Sequence, residues 1–110
     1  MDVKLEHIKQ AILETCDPMQ IILFGSRARG DYRPDSDYDV LVVFEDLPVE
    51  NKSIRNHPVT KIYKSLYKND VGVSVDVLVT TNDRYTKLVN ETGLVYQYIK
   101  EEGKIIYGTV

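Results

Sequence analysis

The sequence predicts an α/β domain, a small mixed β-sheet packed with helices. Two observations carry the prediction: short runs rich in valine and isoleucine have strand length, and apolar residues between them recur at spacings of three and four. Leu5, Ile8, Ile12 and Cys16 fall on one helical face, and Asp17-Pro18 ends that helix. Gln20–Phe24 closes at Gly25, and Tyr38–Phe44 is a longer buried strand. Residues 45–57 form a polar connector. Behind Pro58, at a plausible first helical position, Val59, Ile62, Tyr63, Leu66 and Tyr67 make an amphipathic helix. Residues 71–79 are the third strand. Thr80-Thr81-Asn82-Asp83 offers an N-cap, Tyr85, Leu88 and Val89 an apolar face, and Gly93 a stop. A short helix then runs to Gly103, and Lys104–Tyr107 either adds a terminal strand or packs along the body.

At 110 residues one core is expected, spanning 1–110 as a single domain, and 43% apolar with 28% charged residues argues against disorder. Lys plus Arg is 14 against 17 for Asp plus Glu, a net charge of −3, so an extended nucleic-acid groove is not expected. The longest apolar run, residues 40–44, is five residues, against roughly 20 for a bilayer span, so no membrane association is expected. The first residues mix acids into what a signal peptide would make basic and apolar, so none is expected. Cys16 has no second cysteine to pair with, and with only His7 and His57 beside it the ligands for structural zinc are missing. A reducing, cytoplasmic setting fits, with Cys16 in the core rather than a redox thiol.

The acids carry the functional signal. Asp37 and Asp39, two apart at a strand start, project from one face. Asp76 lies among valines, where a lone carboxylate needs a partner. If strand pairing brings the three together, each close like-charge pair costs about 4 kcal/mol at ~4 Å and an effective dielectric of ~20. A cation would offset this. Three carboxylates without histidine favour Mg²⁺ or Mn²⁺, and two ions would divide hydroxyl activation from phosphate binding. The competing readings are a solvated strand-start pair, and for Asp76 an internal salt bridge to Arg27 or Arg29.

Upstream, Gly25 permits a tight turn, and a helix beginning at Ser26 would point its N–H groups at an anion. Gly25 and Gly30 are spaced as in a P-loop. Asp31-Tyr32 stands where that motif needs Lys and Ser or Thr, which rejects a P-loop ATPase. Of Arg27 and Arg29, two apart on a helix, at most one is expected to reach a bound nucleotide.

Phe24-Gly25-Ser26-Arg27-Ala28-Arg29-Gly30, Ser36-Asp37-Tyr38-Asp39 and Val75-Asp76-Val77 together resemble the nucleotidyltransferase superfamily that includes DNA polymerase beta, and within it the minimal MntA-type antitoxins. The resemblance covers essentially the whole chain. It implies a polymerase-beta palm-like fold, with Asp37, Asp39 and Asp76 as catalytic metal ligands and Gly25, Ser26 and Arg27 on the nucleotide. It further implies Mg²⁺, two ions or Mn²⁺ in their place, with ATP as co-substrate. The implied partner is a HEPN-domain toxin, an RNase, held in a hetero-oligomer and modified by transfer of AMP to a tyrosine. Larger relatives carry an extra domain for the acceptor, so here the acceptor is expected to bring its own binding surface. The alternatives are stoichiometric occlusion of the toxin, or transfer to a small molecule or RNA. The eight tyrosines, Tyr96, Tyr98 and Tyr107 among them, fit a partner-facing patch or the core edge.

Overall fold

The computed structural model describes residues 2–46, 57–91 and 95–108. Its elements are α1 (Val3–Leu13), β1 (Gln20–Phe24), α2 (Ser26–Arg29), β2 (Tyr38–Phe44), α3 (Pro58–Lys68), β3 (Val75–Thr81), α4 (Asn82–Leu88), α5 (Val95–Glu102) and β4 (Lys104–Tyr107). The four strands form one mixed sheet in the order β3-β2-β1-β4. β1 runs antiparallel to β2 and β4, whereas β2 and β3 are parallel. A parallel neighbour cannot be reached by a tight turn, and the crossover that β3 requires contains α3.

Side-chain alternation divides the sheet into two faces. Ile21, Leu23, Val40, Val42 and Val77 bury one face against Ile8, Ala11 and Ile12 of α1 and Ile62 and Leu66 of α3. The opposite face places Ile22, Leu41 and Val43 against Ile99 of α5, with Phe24, Tyr85 and Tyr96 packed at the margin. This second cover is thinner: Leu78, on the same face as Leu41 by register, stays 39% exposed while Leu41 is 0% exposed. The polar face of the sheet is therefore the one left open.

Several predicted boundaries move. The first helix ends at Leu13 rather than at Asp17-Pro18, although Cys16 still packs against the core and its thiol donates to the Ile12 carbonyl at 3.2 Å. Burial pushes the Cys16 thiol up, consistent with an unreactive sulfur. The third strand starts at Val75, not at residue 71: Gly72 adopts φ +76°, which interrupts the extended backbone while Val71 remains in the core. The N-cap of α4 is Thr81, whose side chain accepts from the Arg84 N–H, so Thr80 stays in the strand. Lys104–Tyr107 does add a strand, at the edge beside β1. Gly93 and most of the 45–57 connector lie outside the described residues.

β3 is held at its outer edge by a side chain. The Val77 N–H donates to the Tyr63 hydroxyl of α3 at 2.9 Å, tying the crossover helix to the residue after Asp76. Tyr63→Phe keeps the ring and removes only this acceptor. The variant is expected to lose about 1 kcal/mol of unfolding free energy in a denaturant titration. An unchanged midpoint would show that water serves Val77 equally well.

Candidate active site

The register of the sheet puts the predicted acids in one row. Asp39 lies opposite Phe24 on β1 and opposite Asp76 on β3, so all three side chains emerge on the same, thinly covered face. Asp37, two residues before Asp39, shares that face by alternation. Asp37 and Asp76 are exposed, and Asp39 is half-buried between them. Burial is the largest influence raising the Asp39 carboxyl above its ordinary value of 3.8. The charges of Asp76 and Asp37 and a hydrogen bond with Asp76 add to it, and only Arg29 opposes them.

Gly25 flanks the row of acids at the end of β1. Its φ of +74° is a left-handed value that disfavours other residues, and a Cβ there would collide with the Asp39 carboxylate. The glycine thus does two things at once: it turns the chain sharply from β1 into α2 and leaves room for an acid on the neighbouring strand. Ala28 and Arg29 donate their N–H groups to the Gly25 carbonyl, both at 3.1 Å, which leaves the Ser26 and Arg27 N–H groups at the open start of the turn.

The two arginines are engaged elsewhere than with the acids. Arg27 lies 4.3 Å from the ring centroid of Tyr32 and 4.4 Å from that of Tyr38. It donates to the Ser36 carbonyl through Nε at 3.2 Å and Nη2 at 3.0 Å, and to the Pro34 carbonyl at 3.2 Å. It therefore clamps the loop that delivers Asp37. Arg29 pairs with Asp31 at 3.3 Å and Glu102 at 3.2 Å. Among the described residues no ion pair joins either arginine to Asp76, so the internal salt-bridge reading of that acid is not realised.

Sequence reasoning missed the brace behind the row. The Asp2 carboxylate caps α1 by accepting from the Leu5 N–H at 3.1 Å, and it also accepts from the Tyr38 hydroxyl at 2.8 Å. Partial burial works against ionisation of Asp2, but these hydrogen bonds outweigh it and hold the carboxyl below its ordinary value. Tyr38, set between Asp37 and Asp39 in sequence, is thus fixed by α1 on one side and by Arg27 on the other. An N-capping aspartate two residues into a chain gives no sequence signal that it reaches a strand 36 positions away.

Among the described residues, no group of three or more His, Cys, Asp or Glu side chains is gathered closely enough to hold a metal ion. The donor set is nonetheless chemically suited to a hard divalent cation: three carboxylates on one face, mutually repelling, with a glycine making room for the central one. Because the folded chain raises the proton affinity of Asp39, the contribution of this group to stability falls as pH rises from 3.8 through the raised value. Asp39→Asn, which removes that charge, is expected to melt at or above the wild-type temperature in EDTA at neutral pH. Mg²⁺ or Mn²⁺ should raise the melting temperature of the wild type and leave the variant unmoved. An equal response in both proteins would remove Asp39 from the metal-binding set.

Comparison with known proteins identifies the family. The family model described as "Polymerase beta, Nucleotidyltransferase" matches residues 6–109. MJ0604 of Methanocaldococcus jannaschii, a protein adenylyltransferase by assignment, is 33% identical over 80% of this chain and 77% of its own length. MJ1305 of the same organism, likewise assigned, is 34% identical over 97% of this chain and 75% of its own. Among solved structures, a Sulfolobus solfataricus protein assigned as a nucleotidyltransferase superposes with a TM-score of 0.58 at 21% identity, covering 96% of this chain and 78% of that one. A chain of a toxin–antitoxin complex with AMP-PNP gives a TM-score of 0.61 at 20% identity over 94% and 73%. A variant of the toxin–antitoxin pair MntA–HpeT gives 0.59 at 19% over 94% and 72%. The predicted fold is thus the observed one, and the chain belongs to the polymerase beta nucleotidyltransferase family.

Proposed function

We propose that this chain transfers AMP from ATP to a tyrosine hydroxyl of a HEPN-domain toxin and thereby acts as its antitoxin in the cytoplasm. The observation that carries the reading is the contact of Asp39 with Asp76 across β2 and β3, flanked by Asp37 and backed by the Gly25 turn. Family membership supports nucleotidyl transfer. The relatives assigned as protein adenylyltransferases support a protein acceptor, and the neighbouring toxin–antitoxin folds support a toxin as that protein. In one of those neighbours two aspartates, two positions apart, were replaced by glutamate, the same spacing as Asp37 and Asp39 here.

In this reading Asp37, Asp39 and Asp76 would hold Mg²⁺, which when bound supplies the counter-charge for the triphosphate and lowers the pKa of the attacking hydroxyl. Gly25 and Ser26 receive the phosphates at the open start of α2. The acceptor oxygen forms a bond to the α-phosphorus as the bond from that phosphorus to the bridging oxygen breaks. Pyrophosphate departs with the electron pair, and the hydroxyl proton passes to the carboxylate of Asp76. Most of the acceleration in such a transfer comes from positioning and charge neutralisation, which the row of acids and the glycine turn are placed to supply. Arg27, in this reading, contributes by holding the loop that delivers Asp37 rather than by binding ATP.

Labelled AMP from α-labelled ATP should enter the HEPN protein only with Mg²⁺ or Mn²⁺ present, at substoichiometric amounts of this chain. Asp37→Asn and Asp39→Asn should each lower the rate by at least about 1,000-fold while preserving the circular dichroism spectrum. Inhibition of the toxin that requires equimolar chain, needs no ATP and adds no mass to the toxin would establish occlusion instead.

A further inference from the structure

The transfer reading leaves open where the acceptor lies, and the sheet answers this through its strand order. At the level of the acids the strands succeed one another as β1 with the Gly25 turn, β2 with Asp37 and Asp39, and β3 with Asp76. Adjacent strands are about 4.8 Å apart, so this row runs roughly 10 Å from the phosphate turn to the outer acid. In-line displacement needs the nucleophile opposite the leaving group. With pyrophosphate leaving over β1, the acceptor hydroxyl comes from the β3 side, and β3 is an edge strand.

Two grooves border that edge. One, lined by Tyr63, Leu66, Tyr67 and Val75, belongs to the face on which α3 packs, the face opposite the acids. The other, about 660 Å³, has Thr80, Asp83, Arg84, Lys87, Leu88 and Tyr96 in its lining, between β3 and α4. Alternation settles which of them communicates with the site. Asp76, Leu78 and Thr80 are successive side chains on one face of β3, with Leu78 exposed between the acid and the second groove. Leu78 sits about 7 Å along the strand from Asp76, a span on the scale of an aromatic side chain.

The groove has an electrostatic character of its own. Among the described residues Arg84 is in no ion pair, whereas Lys87 is paired with Asp83 at 3.0 Å. The Thr80 hydroxyl in its wall is buried and has no hydrogen-bond partner. An exposed leucine beside the acid, then an unpaired guanidinium, match a tyrosine whose ring lies on Leu78 and whose chain neighbour is acidic.

We propose that the acceptor protein docks across Leu78 into the β3–α4 groove, presenting a tyrosine flanked by an acidic residue that pairs with Arg84. The assignment rests on the nucleotidyl-transfer reading above. Leu78 and Arg84 are positioning residues for the acceptor and leave the nucleotide alone.

The probe is the peptide acetyl-Glu-Tyr-Glu-amide, titrated into ¹⁵N-labelled protein holding Mg²⁺ and a non-hydrolysable ATP analogue, and used separately as acceptor with α-labelled ATP. Amide shifts should cluster at Leu78, Thr80, Arg84 and Leu88. Arg84→Glu should raise the peptide KM about tenfold with the KM for ATP unchanged, Leu78→Ala should act in the same direction, and Arg84→Lys should recover most of the loss. Shifts centred on Tyr63 and Tyr67, or a peptide KM indifferent to both variants, would overturn the docking assignment while leaving the transfer reading intact. Preferential labelling of an RNA 3′ end would overturn the protein acceptor. Absence of transfer by the wild type to either the peptide or a HEPN protein would overturn the transfer reading, and the shift map would still decide the groove.

Discussion

Two carboxyl groups in contact across a parallel strand pair are the constraint on which this molecule turns. Asp39 and Asp76 face one another because β2 and β3 are in register, and neither has an ion pair with a protein cation among the described residues. Left to themselves they repel. The fold tolerates them because they stand at one end of the sheet, on its thinly covered face, while the other face supplies most of the apolar burial through α1 and α3. The opposed demands of a stable core and an acidic site are thus separated by the alternation of two paired strands, with Val40 and Val77 facing inwards beside Asp39 and Asp76.

The positions of these acids depend on contacts that reach them from three directions. Tyr63 fixes the outer edge of β3, Asp2 holds Tyr38 from the N-terminus of α1, and Arg27 gathers the carbonyls of the loop before Asp37. None of these groups touches the row directly. Tyr63 and Arg27 hold backbone groups and Asp2 holds the Tyr38 side chain, so surface carboxylates are oriented without being buried. Gly25 acts differently, through the absence of a side chain, since the space a Cβ would need is taken by Asp39.

How much of this the sequence disclosed follows from the range of the forces involved. The strands, the crossover helix and the three acids were readable because they rest on local periodicity and on polar residues in apolar surroundings, as at Asp76. The meeting of Asp39 with Asp76 was conditional on strand pairing, which periodicity does not give. The contacts of Arg27 were hidden for the same reason. The resemblance sets it on the nucleotide, and within the chain its guanidinium meets Tyr32, Tyr38 and two carbonyls, partners 5 to 11 residues onward that no spacing rule picks out. The strand expected from residue 71 began at Val75 because a glycine's left-handed backbone overrode an apolar run.

The disposition of positive charge bears on the chemistry. A bound triphosphate needs counter-charge, yet Arg27 is committed to the loop and Arg29 to Asp31 and Glu102. Arg29 is close enough to oppose the rise in the Asp39 carboxyl, so its charge is felt at the row, but its two carboxylate partners already neutralise it. The row of acids adds negative charge where the phosphates would lie. In the proposed reading a nucleotide would bind this surface together with cations, because arginines so engaged offset neither the acids nor the phosphates fully. In the proposed reading these acids would make nucleotide binding conditional on divalent ions, and an acceptor entering over β3 would meet a centre that is complete only when both are present.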